Sequence, residues 1–246
     1  MDWFEKAEFW SLFYGRMFPP ESFEAAKEQT GEILTLTGVH SGNVLDMCCG
    51  PGRHSVPLAQ KGFAVTGVDL TQLLLDKART YAETSEVNVN WVQQDMLAFK
   101  TEPQFHLALS LFSSFGYFKN SGDDLIVLKN LYASLLNGGQ LVIDVRGKEI
   151  HAMNLQDCIS TQLPNGDLVF EQVCVNENWT RSDSTWVYIH GSQARRFEVS
   201  FNLYSGAELR SMLQQVGFHK IHLYGSLKGI PYNDKAQRLV VVATKP

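Results

Sequence analysis

The sequence has few cysteines, no excess of positive charge and no long apolar run. Each shortage closes off a class of protein. Cys48, Cys49, Cys158 and Cys174 are its four cysteines. None forms a C-x-x-C pair, which argues against a zinc ribbon or a thioredoxin-type site, and four thiols are too few for a disulfide scaffold. Free thiols point to a reducing compartment. Lys plus Arg number 21 against 26 Asp plus Glu, a net charge of -5. Such a balance speaks against nucleic acid and anionic lipid as partners. No stretch approaches the ~18 apolar residues of a membrane span. Met1-Asp2-Trp3-Phe4-Glu5-Lys6 lacks the basic start and apolar run of a secretory leader. The expectation is a cytoplasmic protein without metal or membrane, in which the Asn178-Trp179-Thr180 sequon is chance. What remains is ordinary globular composition, 44% hydrophobic and 19% charged. A chain of 246 residues suits one α/β domain with an insertion or cap.

The first 40 positions read as a helical, aromatic cap, with Trp3, Phe4, Phe9, Trp10, Phe13, Tyr14 and Phe18 close together and Pro19-Pro20 separating two helices. From Asn43 onward strand and helix alternate five times over about 100 residues. Strands are expected at Asn43–Met47, Phe63–Val68, Val87–Val92, Phe105–Phe112 and Leu141–Val145. Ser121-Gly122-Asp123-Asp124 reads as a capping box opening a helix that Asn137-Gly138-Gly139 ends. Alternation at this spacing implies right-handed crossovers and a doubly wound, mostly parallel sheet. The five strand ends carry Asp46, Asp69, Asp95, Ser113 and Asp144, and ligands of such sheets sit at those ends. Between Asn165 and Leu203 the pattern changes to aromatic-rich strands with turns at Asn165-Gly166-Asp167 and His190-Gly191-Ser192, an antiparallel insertion of three to four strands. The α/β pattern returns with the capping box Ser205-Gly206-Ala207-Glu208, a helix to Val216, and two last strands. The divisions are thus a cap at 1–40, a core at 41–150 and 204–246, and an insertion at 151–203 on the substrate side.

The stretch Val44 to Asp69 carries the chemistry. A glycine turn, Cys48-Cys49-Gly50-Pro51-Gly52, lets a ligand approach the backbone. Asp69 follows Gly50 by 19 positions, placed to accept hydrogen bonds from ribose hydroxyls. Two cofactor classes use this plan. A nicotinamide dinucleotide needs G-x-G-x-x-G and a pyrophosphate at the helix start. Here the third glycine is Ser55, and Asp46 before the turn would repel a pyrophosphate. An acid there suits a ligand with an ammonium and a sulfonium, which favours S-adenosylmethionine.

Asp46-Met47-Cys48-Cys49-Gly50-Pro51-Gly52-Arg53-His54 resembles motif I of the class I S-adenosylmethionine-dependent methyltransferases, in a D-x-x-C-G-P-G-R-H variant. Phe112-Ser113-Ser114-Phe115-Gly116-Tyr117 resembles a subgroup motif, F-x-S-F-G-Y. The departure is Cys48, where the family pattern has its first glycine. The resemblance covers most of the chain and implies a seven-stranded Rossmann-like sheet. It implies that Gly50 and Gly52 line the methionyl part of the cofactor, with Asp46 supporting its amino group and Cys48 and Arg53 also binding the cofactor. Asp69 would hold the ribose, Leu70 and Met96 the adenine faces, and Asp95 the adenine amino group. Leu111 and Phe112 would lie beside the sulfonium, and Tyr14, with Trp10 and Arg16 after it, would cover the site. Tyr117, His151, Trp186 and His190 are candidates for the acceptor pocket, and His54 for a helix start or a place near the substrate.

Three functions stay open on these residues: methyl transfer to a small molecule, which leads; methyl transfer to tRNA; and cofactor binding without catalysis. A nicotinamide-dependent oxidoreductase stands well behind them. Methyl transfer is an in-line displacement that asks the protein mainly for proximity and alignment, so no catalytic residue is demanded. The acceptor atom, N, O, S or C, is not legible, nor is the oligomeric state.

Overall fold

In the computed structural model, residues 2–176 and 178–246 are described; Met1 of the cap and Glu177 of the insertion lie outside them. A 3-10 turn at Trp3–Glu5 leads into α1 (Ala7–Met17) and α2 (Pro20–Thr37). Pro20 sits at the first helical position of α2, where a missing N–H costs nothing, and Gly38 caps its end in the left-handed region. Then follow β1 (Asn43–Met47), α3 (Ser55–Gln60), β2 (Ala64–Asp69), α4 (Gln72–Thr84), β3 (Asn90–Gln93), β4 (Phe105–Ser110), α5 (Ser121–Ser134) and β5 (Leu135–Val145). After α6 (Lys148–Met153) come β6 (Cys158–Gln162), β7 (Leu168–Val175), β8 (Arg181–His190) and β9 (Gln193–Asn202). The chain closes with α7 (Gly206–Val216), β10 (His219–Tyr224) and β11 (Leu239–Thr244).

Seven strands form one sheet in the order β10-β11-β5-β4-β1-β2-β3, and four form a second, β6-β7-β8-β9. Strands β3, β2, β1, β4 and β5 pair in parallel in that order, while β11 runs antiparallel to both β5 and β10. The doubly wound, mostly parallel plan read from the alternation is therefore present, with a helical cap and an antiparallel insertion. The central strands are apolar on both faces because helices cover both: Val44, Leu45, Leu107 and Leu109 are fully buried. The chain winds from β1 out to β3, then returns to β4 on β1's other side. The crevice at that reversal, over the carboxyl ends of β1 and β4, is where a ligand of such a sheet is held.

Four local expectations are corrected. Helix α5 is capped by Asn120, whose side chain accepts from the Gly122 amide at 3.0 Å, and not by a box at Ser121. It stops at Ser134, because Leu135 already pairs with Phe105. Asn137-Gly138-Gly139 accordingly lies within β5, where the register shifts between Phe105 and Leu107 and the extra residues buckle. The insertion's strands start at Cys158, earlier than its aromatic density indicated, while their number, four, is within the three to four expected. The box at Ser205 and Glu208 is formed as read.

The cap is docked by aromatic packing. Phe9 and Phe13 are fully buried. Phe9 lies 5.5 Å from the Phe197 ring, and Phe13 lies 5.2 Å from Trp186, so α1 seats on β8 and β9. Trp3 Nε1 donates to the Ser200 carbonyl at 3.0 Å. Removing a ring of this kind costs roughly 3–5 kcal/mol.

Candidate functional site

The glycine turn after β1 and the acid ending β2 are joined directly. The Gly50 amide donates to Asp69 Oδ2 at 2.9 Å, and the Thr71 amide donates to Asp69 Oδ1 at 2.9 Å. A carboxylate has about four acceptor positions, so Asp69, fixed by two amides, can still accept from a ligand. Burial pushes its pKa up against those amides. Asp46 is buried one strand away and accepts from Ser55 Oγ at 2.5 Å through Oδ2. Its Oδ1 has no hydrogen-bond partner among the described residues. Burial drives its pKa up to about 6, partly opposed by Ser55 and the Arg53 charge. Asp95 accepts from the Leu97 amide at 2.8 Å.

These acids share a cavity of about 390 Å³, a size typical of small-ligand sites. Asp46, Cys48, Gly50, Arg53, Asp69, Leu70, Asp95, Met96, Leu111 and Phe112 all line it. Phe4, Trp10, Arg16, Met17 and Phe18 of the cap and Trp186 of the insertion complete its walls. Gly50 has φ 56, and a Cβ there would touch the Phe18 ring at 3.4 Å, on the cavity wall.

Two expected residues are elsewhere. Gly52 lies outside the wall: its missing Cβ makes room for Trp91, 2.8 Å away, and Ala78, so this glycine serves packing of the turn against β3 and α4. Tyr14 turns from the cavity toward Phe18, 5.3 Å away, with Lys77 Nζ 4.3 Å from its ring; Trp10 and Arg16 of the same helix face in. Of the acceptor candidates, Tyr117 and Trp186 line the cavity. His190 instead pairs with Asp167 at 2.7 Å at the far turn of the second sheet. His151 is buried against Phe201.

On the β4–β5 side sequence reasoning missed Arg238, which joins the strand-end residues Ser113 and Asp144. Arg238 Nε donates to Asp144 Oδ1 at 2.7 Å, and its Nη2 to Ser113 Oγ at 3.1 Å. Asp144 also accepts from the Phe112 amide, holding Phe112 and Ser113 in the left-handed region, φ 55 and 64. The signal for Arg238 was its place just before β11. An antiparallel strand starts at the end where parallel strands finish, and Leu239 pairs with Val145. His54 stacks on Phe112 at 5.3 Å, and its Nε2 meets Gln29 Oε1 at 2.9 Å. Burial and the Arg53 charge lower its pKa, so the ring is neutral.

A second hollow of about 700 Å³ lies between α5, α7 and the second sheet. Its Arg181 is already bound to the Phe118 carbonyl and Asn202 Oδ1. No group of His, Cys, Asp and Glu suited to a metal occurs among the described residues, and no helix there is long and apolar enough to cross a membrane.

Residues 44–139 match the family described as Methyltransferase domain. The full chain superposes on an S-adenosylmethionine-dependent methyltransferase from Clostridium acetobutylicum with TM-score 0.79 at 15% identity, covering 97% of this chain and 98% of that one. It also superposes on CalS10, an S-adenosylmethionine-bound amino pentose methyltransferase from Micromonospora echinaspora, with TM-score 0.69 at 19% identity and 98% of each chain covered. Over residues 44–139 the chain is thus similar to methyltransferase domains, and its fold is that of S-adenosylmethionine-dependent methyltransferases of known structure. The ubiquinone biosynthesis O-methyltransferase of Coxiella burnetii is 31% identical over 119 residues, 48% of each chain. The chain spans about half the length of the curated relatives it matches, 42% for one and 48% for another. Both solved structures are described as using or holding S-adenosylmethionine, and the cavity here fits that molecule: Asp46 Oδ1, unpaired among the described residues, for an ammonium, the Asp69 carboxylate for ribose hydroxyls, and a glycine wall at Gly50 for close approach.

Proposed function

We propose that this protein transfers a methyl group from S-adenosylmethionine to a small-molecule acceptor. One observation carries the reading: Asp46, Asp69 and Asp95, from the ends of three neighbouring strands, converge on a cavity roofed by Phe4, Trp10 and Trp186. Bound there, the cofactor supplies the electrophilic methyl group and its leaving group. Asp69, held by the Gly50 and Thr71 amides, takes the ribose hydroxyls. Asp46 would face the ammonium, and a positive charge there would favour the ionised form of a carboxyl that burial, partly opposed by Ser55 and Arg53, keeps half neutral near pH 6. Met96 and Leu70 pack on the adenine, and Asp95 accepts from its amino group. The aromatic roof excludes water and stabilises positive charge on its faces, worth ~0.5–2 kcal/mol. Alignment of acceptor and methyl contributes most of the rate.

The roof also argues for a small acceptor. A nucleic-acid base must be flipped into its pocket from a positively charged surface, whereas this chain is net acidic at -5 and closes the crevice with its own cap. The insertion supplies the acceptor-side wall through Trp186. Labelled-methyl transfer assayed against metabolite extracts and bulk tRNA tests this. Transfer to the small-molecule fraction is expected. Transfer to tRNA alone would overturn the acceptor class, and cofactor binding with transfer to neither would make the protein a binder.

A further inference from the structure

Charge is segregated across the cavity in strand order. Over β1, β2 and β3 the wall carries carboxylates, Asp46, Asp69 and Asp95. Toward β4 and β5 it carries the guanidiniums of Arg53 and Arg238, and behind the wall the buried Asp144 pairs with Arg238 at 2.7 Å. Arg16 on the cap is likewise paired, with Glu171 at 3.0 Å. Arg53 differs from both. It lines the cavity, yet among the described residues it donates no hydrogen bond, and the carboxylates of Asp144 and Asp46 act on it only at a distance. What it touches is the Phe112 ring, 3.9 Å from its guanidinium carbon. Arg238 approaches the same ring at 5.5 Å. A half-buried cation without a partner on a cavity wall is open to an anionic ligand, and desolvation with a second cation beside it lowers the Arg53 pKa to about 10.

The geometry points to an anion-binding subsite in which Arg53 and Arg238, set against Phe112, hold a carboxylate or phosphate group of the methyl acceptor. This rests on the methyltransferase reading above and names the acceptor's class. The strained backbone at Phe112 and Ser113 supports it: left-handed residues without glycine cost free energy and persist where a site needs them. Here the strain brings the ring under Arg53 while Ser113 Oγ and Asp144 fix Arg238. Arg238 is thereby aimed, with one edge used and the other free. Arg53 supplies five donors that no described side chain accepts. A planar fork of this kind matches carboxylate and phosphate oxygens in pairs.

The competing occupant of Arg53 is the cofactor's own carboxylate, so the test loads that position first. Acetate and inorganic phosphate are titrated at constant ionic strength into protein saturated with S-adenosylhomocysteine, for the wild type, Arg53→Gln and Arg53→Lys. Melting curves confirm that each variant is folded. Saturable binding of at least one anion is expected in the wild type, at least tenfold weaker in Arg53→Gln and intermediate in Arg53→Lys. The tighter of the two anions identifies the acceptor group as carboxylate or phosphate. Absence of saturable anion binding in the wild type, or binding unchanged in Arg53→Gln, overturns the subsite. So does a tenfold loss of S-adenosylhomocysteine affinity in Arg53→Gln that 5′-methylthioadenosine, which lacks the carboxylate, does not share. If the wild type binds no S-adenosylhomocysteine, the methyltransferase reading itself has failed, and the subsite with it.

Discussion

Asp69 accepts the Gly50 amide across 2.9 Å, so the acid that ends β2 holds the glycine turn that follows β1. The same carboxylate accepts the Thr71 amide. A ribose on Asp69 would therefore be read by a group whose position is set from both flanking loops. Asp69→Ala removes the ligand's acceptor and the turn's anchor together. A hydrogen bond to a charged group contributes ~1.5–3 kcal/mol, which at ~1.4 kcal/mol per decade is one to two decades of affinity. Calorimetry with S-adenosylhomocysteine should show a loss of that size in a protein that still melts cooperatively. Unchanged affinity would remove Asp69 from the cofactor site.

Much of this was legible in the chain because parallel strands and motif turns are local. The βα alternation, the ends of β1 and β2, and the Ser205 box depend on residues within a few positions of each other. The misread places depend on partners far away. Leu135 leaves α5 because Phe105 offers a strand to pair with, 30 positions earlier. Arg238 enters the site because β11 is antiparallel, a fact of sheet topology that periodicity cannot carry. Gly52 shares a motif with Gly50 but faces Trp91, and only the packing of β3 against the turn separates the two roles.

The Asp46 carboxyl makes binding and stability respond to pH in opposite directions. Its folded pKa, about 6, stands above the ordinary 3.8 of an aspartate. A raised pKa means that the stability contribution is complete below pH ~4 and is lost as pH rises through 6. At ~1.4 kcal/mol per pKa unit the loss is of order 3 kcal/mol. Ammonium binding needs the ionised form, so affinity should fall as pH drops below 6. Asp46→Asn should flatten both curves, weaken S-adenosylhomocysteine at pH 8, and raise the apo melting temperature there. Calorimetry and melting scans between pH 5 and 8 check both; an affinity that rises on acidification would exclude an ammonium at Asp46.

The two motif glycines should fail differently on substitution. Gly52→Ala puts a Cβ 2.8 Å from the Trp91 ring and 3.1 Å from Ala78 Cβ, at φ 79. Overpacking of this kind costs roughly 1–3 kcal/mol, before the left-handed penalty of ~1–2 kcal/mol. Gly50→Ala carries the same kind of backbone penalty, but its Cβ makes an ordinary contact with Phe18 at the cavity. Gly52→Ala should therefore lower the melting temperature more, and Gly50→Ala should lose more cofactor affinity for its loss of stability. Equal effects on both measurements would show that Gly52 also lines the ligand.

The cap should tighten when the cofactor binds. Trp10, Met17 and Phe18 wall the cavity from α1 and its end, and Trp10 Nε1 is tied to the Phe4 carbonyl at 2.7 Å. Phe9 and Phe13 sit on the second sheet, so a lid movement that admits a ligand would lift α1 from that sheet. A ligand that binds only the closed form raises the free energy of opening by RT ln(1 + [L]/Kd), ~2.7 kcal/mol at one hundred times Kd. Amide exchange in residues 7–18 that proceeds through such opening should slow about a hundredfold with S-adenosylhomocysteine at that excess. Helix α7 has no residue on this cavity and serves as the internal control. Slowing confined to residues 7–18 and the strand ends fits a lid. If α7 slows equally, the ligand is stabilising the whole fold, and no separate movement of the cap is needed to admit it.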